Sequence, residues 1–184
     1  MPDLVRRLQT SHEAWLLLVI LVMFNSSDLK NVNNTLYELK RPSDGVERWY
    51  VVRDLGTALG ETGRLFPKRG DIDIFERRPF ITGIRNGFLE FDYHGWHQEL
   101  IRNRITPDDV HWASDLVGGL TRDQWLDAFR AGGYEPAIAG RFVRRLLGRI
   151  DEARRIGAAD RRLSLFGSPL SPFWPEGWYA RCCA

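Results

Sequence analysis

The feature that most restricts this chain is an eleven-residue apolar run, Ala14 to Phe24 (A-W-L-L-L-V-I-L-V-M-F), which stops abruptly at Asn25-Ser26-Ser27-Asp28. A helix of that length rises about 16 Å, roughly half the thickness of a bilayer's hydrocarbon core, so the run is too short to span one. Asp3 and Glu13 sit among the preceding charges, and no small-residue cleavage site follows, which argues against a secretory signal. A helix that is apolar all round belongs inside a domain. Thr10 and Glu13 stand in capping-box register and predict its start at about Ser11. With 184 residues the chain suits one domain, or one lobe of a larger one, and a 43% hydrophobic content supplies a real core. A net charge of +2 favours neither nucleic acid nor an acidic partner. Cysteine occurs only as the adjacent pair Cys182-Cys183, which rules out a disulfide framework or a C-x-x-C metal site within the chain and makes a reducing cytoplasm the expected setting.

The polar residues after the run carry a pattern. Asp28, Lys30 and Asn33 stand as D-x-K-x-x-N, the spacing of a protein-kinase catalytic loop, and Asp54-Leu55-Gly56 occupies the place of D-F-G. Between them Thr35 to Lys40 and Arg48 to Arg53 are β-prone and alternating, with Pro42-Ser43-Asp44-Gly45 as a turn. Such a hairpin returns the chain to its starting edge and brings Asp54 beside Asn33, twenty-one residues earlier. Phosphoryl transfer from a nucleotide needs a metal-binding carboxylate, an amide oxygen at a second metal position, a cation and a positioned base. Asp54, Asn33, Lys30 and Asp28 fill those roles in that order. The bland alternative is a solvated polar turn after a buried helix, followed by an Asp-Leu-Gly turn.

On F-N-S-S-D-L-K-N-V-N-N, the hairpin, Y-V-V-R-D-L-G-T-A-L-G and the later R-P-F-I-T-G-I, the segment from about Ala14 to Ile156 resembles the C-terminal lobe of an atypical protein-kinase-like family of uncharacterised bacterial proteins. Its layout is similar to that of the lipid-kinase-like and HipA-like kinases. The resemblance implies a nucleotide-dependent kinase fold, with Asp28 as base or substrate-positioning residue, Lys30 beside it at the phosphates, and Asn33 and Asp54 as ligands of Mg2+ carrying ATP. Ser26 and Ser27 depart from the His-Arg of ordinary protein kinases, no A-P-E follows Asp54, and no glycine-rich loop or V-A-I-K lysine precedes Ala14. The last departure predicts that the chain is a fragment, or a lobe completed by a missing N-terminal lobe or partner chain, and that alone it neither binds nucleotide tightly nor turns over. An exposed apolar surface around Trp49, Leu55 and the end of the helix is expected where the other lobe would dock.

Further along, Thr57 to Asp73 is glycine-rich, with Arg64, Lys68 and Arg69 interspersed, and reads as a surface loop that can face substrate. Phe80 to Ile84 and Gly87 to Tyr93 predict a second hairpin joined by Asn86-Gly87. His94 and His97 have no acidic or cysteine third ligand at a usual spacing and read as structural or surface residues. Thr106-Pro107-Asp108-Asp109 starts a helix whose buried face is expected to be Val110, Trp112, Ala113, Leu116 and Val117. Thr121 with Gln124 starts another, carrying Trp125, Leu126, Ala128 and Phe129. A third, from about Pro136 to Ile156, buries Ile138, Phe142, Val143, Leu146, Leu147 and Ile150, and turns Arg141, Arg144, Arg145, Arg149, Arg154 and Arg155 to a solvated outer face.

The expected fold is therefore α+β and mostly helical, a protein-kinase-like C-terminal lobe with two β-hairpins over 1–157 and a Pro- and aromatic-rich tail over 158–184. The expected function is Mg2+-dependent phosphoryl transfer from a nucleoside triphosphate to an unknown phosphoacceptor, in the intact protein. The alternatives are a catalytically inactive kinase-like binding module, or nucleic-acid binding through the arginine face, which Asp151 and Glu152 interrupt.

Overall fold

The computed structural model describes residues 12–30, 33–40, 46–63, 65–66 and 68–165. Among the described residues the architecture is α+β, about half helical, with two separate two-stranded antiparallel sheets. The apolar run forms α1, His12–Met23, and the first hairpin pairs β1, Asn34–Lys40, with β2, Val46–Val52, in the register Asn34↔Val52 to Lys40↔Val46. The proposed capping box at Thr10 and the Pro42-Gly45 turn lie outside the described residues.

The loop expected over Thr57 to Asp73 gives way at its end to a helix, α2, Ile72–Arg77, whose N-cap Asp71 accepts a hydrogen bond from the Ile74 amide at 3.0 Å. The second hairpin pairs β3, Ile81–Arg85, with β4, Phe88–Phe91. Asn86 and Gly87 take φ of 53° and 80°, the left-handed pair that a two-residue turn requires. A 3-10 turn at Gln98–Leu100 leads to three helices, α3 (Pro107–Val117), α4 (Arg122–Ala131) and α5 (Pro136–Leu165). Thr106 caps α3 as expected, in a capping box with Asp109, and the predicted box of Thr121 with Gln124 forms at α4. The last helix runs past its expected end at Ile156 to Leu165.

The core gathers around α5, which packs on α2, α3 and α4, while α1 packs on α3. Val19, Met23, Phe75, Phe80, Phe142, Leu146 and Ile150 are shut off from solvent, and Phe129 stacks on Phe142 with centroids 5.4 Å apart. Two expectations about helix faces are corrected. Trp112 and Leu116 are 38% and 59% exposed, and Asp109 and Ser114 join Val110 and Ala113 on the buried face of α3 instead. Arg149 does not point to solvent: its side chain is fully buried. No helix among the described residues is long and apolar enough to cross a membrane.

Candidate functional site

The site begins where α1 ends. Asn25 adopts a left-handed conformation with φ of 53°, and the Ser26 amide turns back to the Leu21 carbonyl at 2.8 Å, so the chain leaves the helix sharply. The polar run that follows is not a solvated turn. Asn25, Ser26, Ser27 and Asp28 are buried, at 2%, 2%, 1% and 9% exposure, and Leu29 beside them is buried as well. A buried polar segment costs free energy unless its groups find partners, and here they come from three directions. The Ser27 carbonyl accepts from the Trp96 amide at 3.0 Å and from the Tyr93 hydroxyl at 3.3 Å. The Phe24 carbonyl accepts from the Leu59 amide at 2.7 Å, and the Asn25 side-chain amide donates to the Gly60 carbonyl at 2.8 Å. From α5, Arg149 donates to the Met23 carbonyl at 2.5 Å and to Asn25 Oδ1 at 2.9 Å. Glycine is required at two of these approaches. A Cβ on Gly95 would collide with the Tyr93 hydroxyl and the Ser27 carbonyl, and one on Gly60 with the Lys68 carbonyl.

Within this frame the four predicted site residues fall as follows. Asn33 Nδ2 donates to Asp28 Oδ2 at 2.8 Å, and Lys30 Nζ lies 3.0 Å from Asp28 Oδ1. The D-x-K-x-x-N spacing thus closes into one contact set, with the carboxylate held between a cation and an amide. Lys30 also lies over the Trp96 ring, 5.5 Å from its centroid, within the range of a cation–π attraction. Asp54 comes from the far end of the hairpin. The Arg53 amide donates to the Asn33 carbonyl at 2.6 Å, extending the β1–β2 ladder by one step, and Asp54 is the next residue. Its φ of 57° turns the chain out of the strand, and its Oδ1 accepts from the Gly56 amide at 3.3 Å.

The atoms left over suit a hard cation. Because Asn33 gives its NH2 to Asp28, its Oδ1 is free of that contact and is an oxygen acceptor. Asp54 is exposed. Mg2+ is held by one or two carboxylates together with water and substrate phosphates rather than by an all-protein cage, so an amide oxygen and an exposed carboxylate fit it. Among the described residues no group of three or more His, Cys, Asp or Glu is placed to hold a metal. The two histidines pair locally, His94 with Asp92 at 3.1 Å and His97 with Glu99 at 2.6 Å.

Three residues of this frame, Tyr93, Trp96 and Arg149, carry no mark in the motifs. For Tyr93 and Trp96 nothing in the local sequence signals a contact with Ser27, which lies 66 residues before Tyr93. Arg149 was legible in its phase. Phe142, Leu146, Arg149 and Ala153 recur at helical spacing, which puts the arginine on the core stripe of α5. Burial pushes its guanidinium down to about 9, with Arg145 adding to the effect and Glu152 and Asp92 opposing it, so it is charged at neutral pH. The arginine face is otherwise largely engaged within the chain. Arg141 pairs with Asp73 and Glu76, both at 2.6 Å, Arg145 donates to the Arg78 carbonyl at 2.5 Å, and Arg154 pairs with Asp115 at 3.1 Å. The expected exposed apolar surface is corrected in part: Leu55 is 52% exposed, but Val22 and Met23 at the end of α1 are buried, and the Trp49 side chain lies outside the described residues.

The chain matches no protein-family model, no curated protein and no solved structure.

Proposed function

We propose that this chain carries the metal-and-base end of a phosphoryl-transfer site of the atypical kinase type, acting on a nucleoside triphosphate with Mg2+ in the cytoplasm. The observation that carries this reading is the closed contact set of Asp28, Lys30 and Asn33, joined by the Arg53-to-Asn33 hydrogen bond to the strand end that presents Asp54. The carboxylate of a merely solvated turn has no reason to be buried, as Asp28 is, with a cation and an amide converging on it.

The roles follow from the contacts. Asp28 is the base, positioned by Asn33 and covered by Lys30. The Lys30 side chain is 43% exposed and Asp28 only 9%, so the lysine is the movable partner. When Lys30 turns to a phosphate oxygen, Asp28 Oδ1 is uncovered for the hydroxyl of an acceptor. That hydroxyl oxygen attacks the terminal phosphorus, its proton passes to Asp28, and the bond to the β-phosphate breaks to release a nucleoside diphosphate. Asn33 Oδ1 and Asp54 would hold the Mg2+, which supplies charge neutralisation at the phosphates. Nucleic-acid binding loses support from the structure, because four of the six arginines named for it are bonded within the chain or buried.

Thermal melting tests the assignment of Asp54. Wild type is expected to melt higher in Mg2+, by about 1.4 kcal/mol of stabilisation at ten times the dissociation constant. Asp54→Asn is expected to fold equally well and to lose the Mg2+ effect. A badly destabilised Asp54→Asn together with a wild type indifferent to Mg2+ would make Asp54 a structural residue and end the proposal.

A further inference from the structure

Resting on the phosphoryl-transfer reading above, we propose that Arg149 and Asn25 form a positioning brace that sets the loop bearing Asp28 in register with the segment that follows Asp54. Neither residue touches the candidate site, and their effect on it is indirect. The Asn25 side chain bridges two elements, with Oδ1 accepting from Arg149 and Nδ2 donating to the carbonyl of Gly60. Gly60 belongs to a stretch fastened on both sides, by Leu59 to the Phe24 carbonyl at 2.7 Å and by Glu61 to the Lys68 carbonyl at 2.9 Å. Arg149 in turn reaches the Met23 carbonyl at the end of α1, the Phe75 carbonyl of α2 at 3.2 Å and the Arg78 carbonyl at 3.3 Å, with its plane 4.1 Å from the Phe75 ring centroid. Among the described residues its hydrogen bonds go to carbonyl and amide oxygens, and none goes to a carboxylate.

A fully buried guanidinium is a costly way to gain stability, since its desolvation offsets much of what its hydrogen bonds contribute. Its distinctive contribution is a rigid fork of five donors that fixes several acceptors at once. Here the acceptors are the end of α1, the end of α2 and, through Asn25, the stretch after Asp54. Both halves of the candidate site are thereby referred to one buried group. The amide of Asn25 is essential to this arrangement, because a carboxylate in its place has no N–H to give Gly60.

Asn25→Asp separates positioning from stability. It offers Arg149 a charged partner and, like Asn, tolerates the left-handed backbone, so melting temperature is expected to hold or rise. The Gly60 contact is lost, so the Leu59 amide should exchange hydrogen faster, and Mn2+ affinity should fall about threefold to tenfold. Asn25→Gly, which also accepts the backbone angle but makes neither bond, should show the same two changes and serves if the aspartate variant does not fold. Unchanged exchange in the folded variant overturns the brace. Faster exchange with unchanged Mn2+ affinity overturns its positioning role. A wild-type chain that binds no Mn2+ overturns the site itself, and with it that role, and the exchange data distinguish this failure from failure of the brace.

Discussion

At the scale of single residues, the chemistry of this chain depends on how polar groups are satisfied where water is excluded. Asn25 to Asp28 pass through the interior because backbone carbonyls and side chains there find donors from Tyr93, Trp96, Asn33, Lys30 and Arg149. Removing a donor strands its acceptors. Arg149→Met keeps the volume roughly constant but leaves the Met23, Phe75 and Arg78 carbonyls and Asn25 Oδ1 without it. The stranded acceptors are neutral and no unpaired charge is left behind, so the expected loss is about 1 to 3 kcal/mol, measured by urea unfolding. A loss under about 1 kcal/mol would mean that these groups find other partners. Gly95→Ala should also destabilise, because the added methyl meets the Tyr93 hydroxyl and the Ser27 carbonyl.

At the scale of elements, local signals and tertiary context separate cleanly. Helix starts were legible, since Thr106 and Thr121 both cap their helices, Thr121 with the Gln124 partner that the spacing names. So was the second hairpin, because Asn86-Gly87 permits the positive φ that few other dipeptides accept. The helix α2 was missed where the glycine-rich stretch ends, although Asp71 is a good N-cap, because six residues are too few to show a period. Its stability comes from packing on α5 and from Arg141, which clasps Asp73 and Glu76. The hydrogen bond from Arg141 holds the Glu76 carboxyl below its ordinary 4.5. A carboxyl lowered on folding contributes stability that is complete above its unfolded value and is lost as pH falls through its folded one. Glu76→Gln should therefore be less stable than wild type near neutrality, and the difference should shrink to nothing in acid. A difference that persists unchanged at low pH would assign the effect to packing. The exposed face of α3 was misjudged for a related reason. Helical spacing admits two adjacent stripes, and packing on α1 and α5 selected the one through Val110 and Ala113, leaving Leu116 outside.

At the scale of the whole molecule, the candidate site is assembled by three distant parts of the chain around the end of one buried helix. The four candidate residues could be named from the sequence because their spacing is local and the hairpin between them is strongly signalled, and the structure brings Asp28, Lys30 and Asn33 into contact. Their surroundings were not, because the contacts of Tyr93 with Ser27 and of Arg149 with Met23 span 66 and 126 residues and obey no local rule. The central claim is that Asn33 and Asp54 form one metal site over Asp28. A titration of the full chain with Mn2+, followed by NMR, tests it most directly, since a bound paramagnetic ion broadens only the signals near it. The account predicts selective broadening of the Asn33 side-chain amide and the Leu55 and Gly56 backbone amides, competed away by Mg2+ and abolished in Asp54→Asn. Broadening centred elsewhere, or unchanged in that variant, would contradict it.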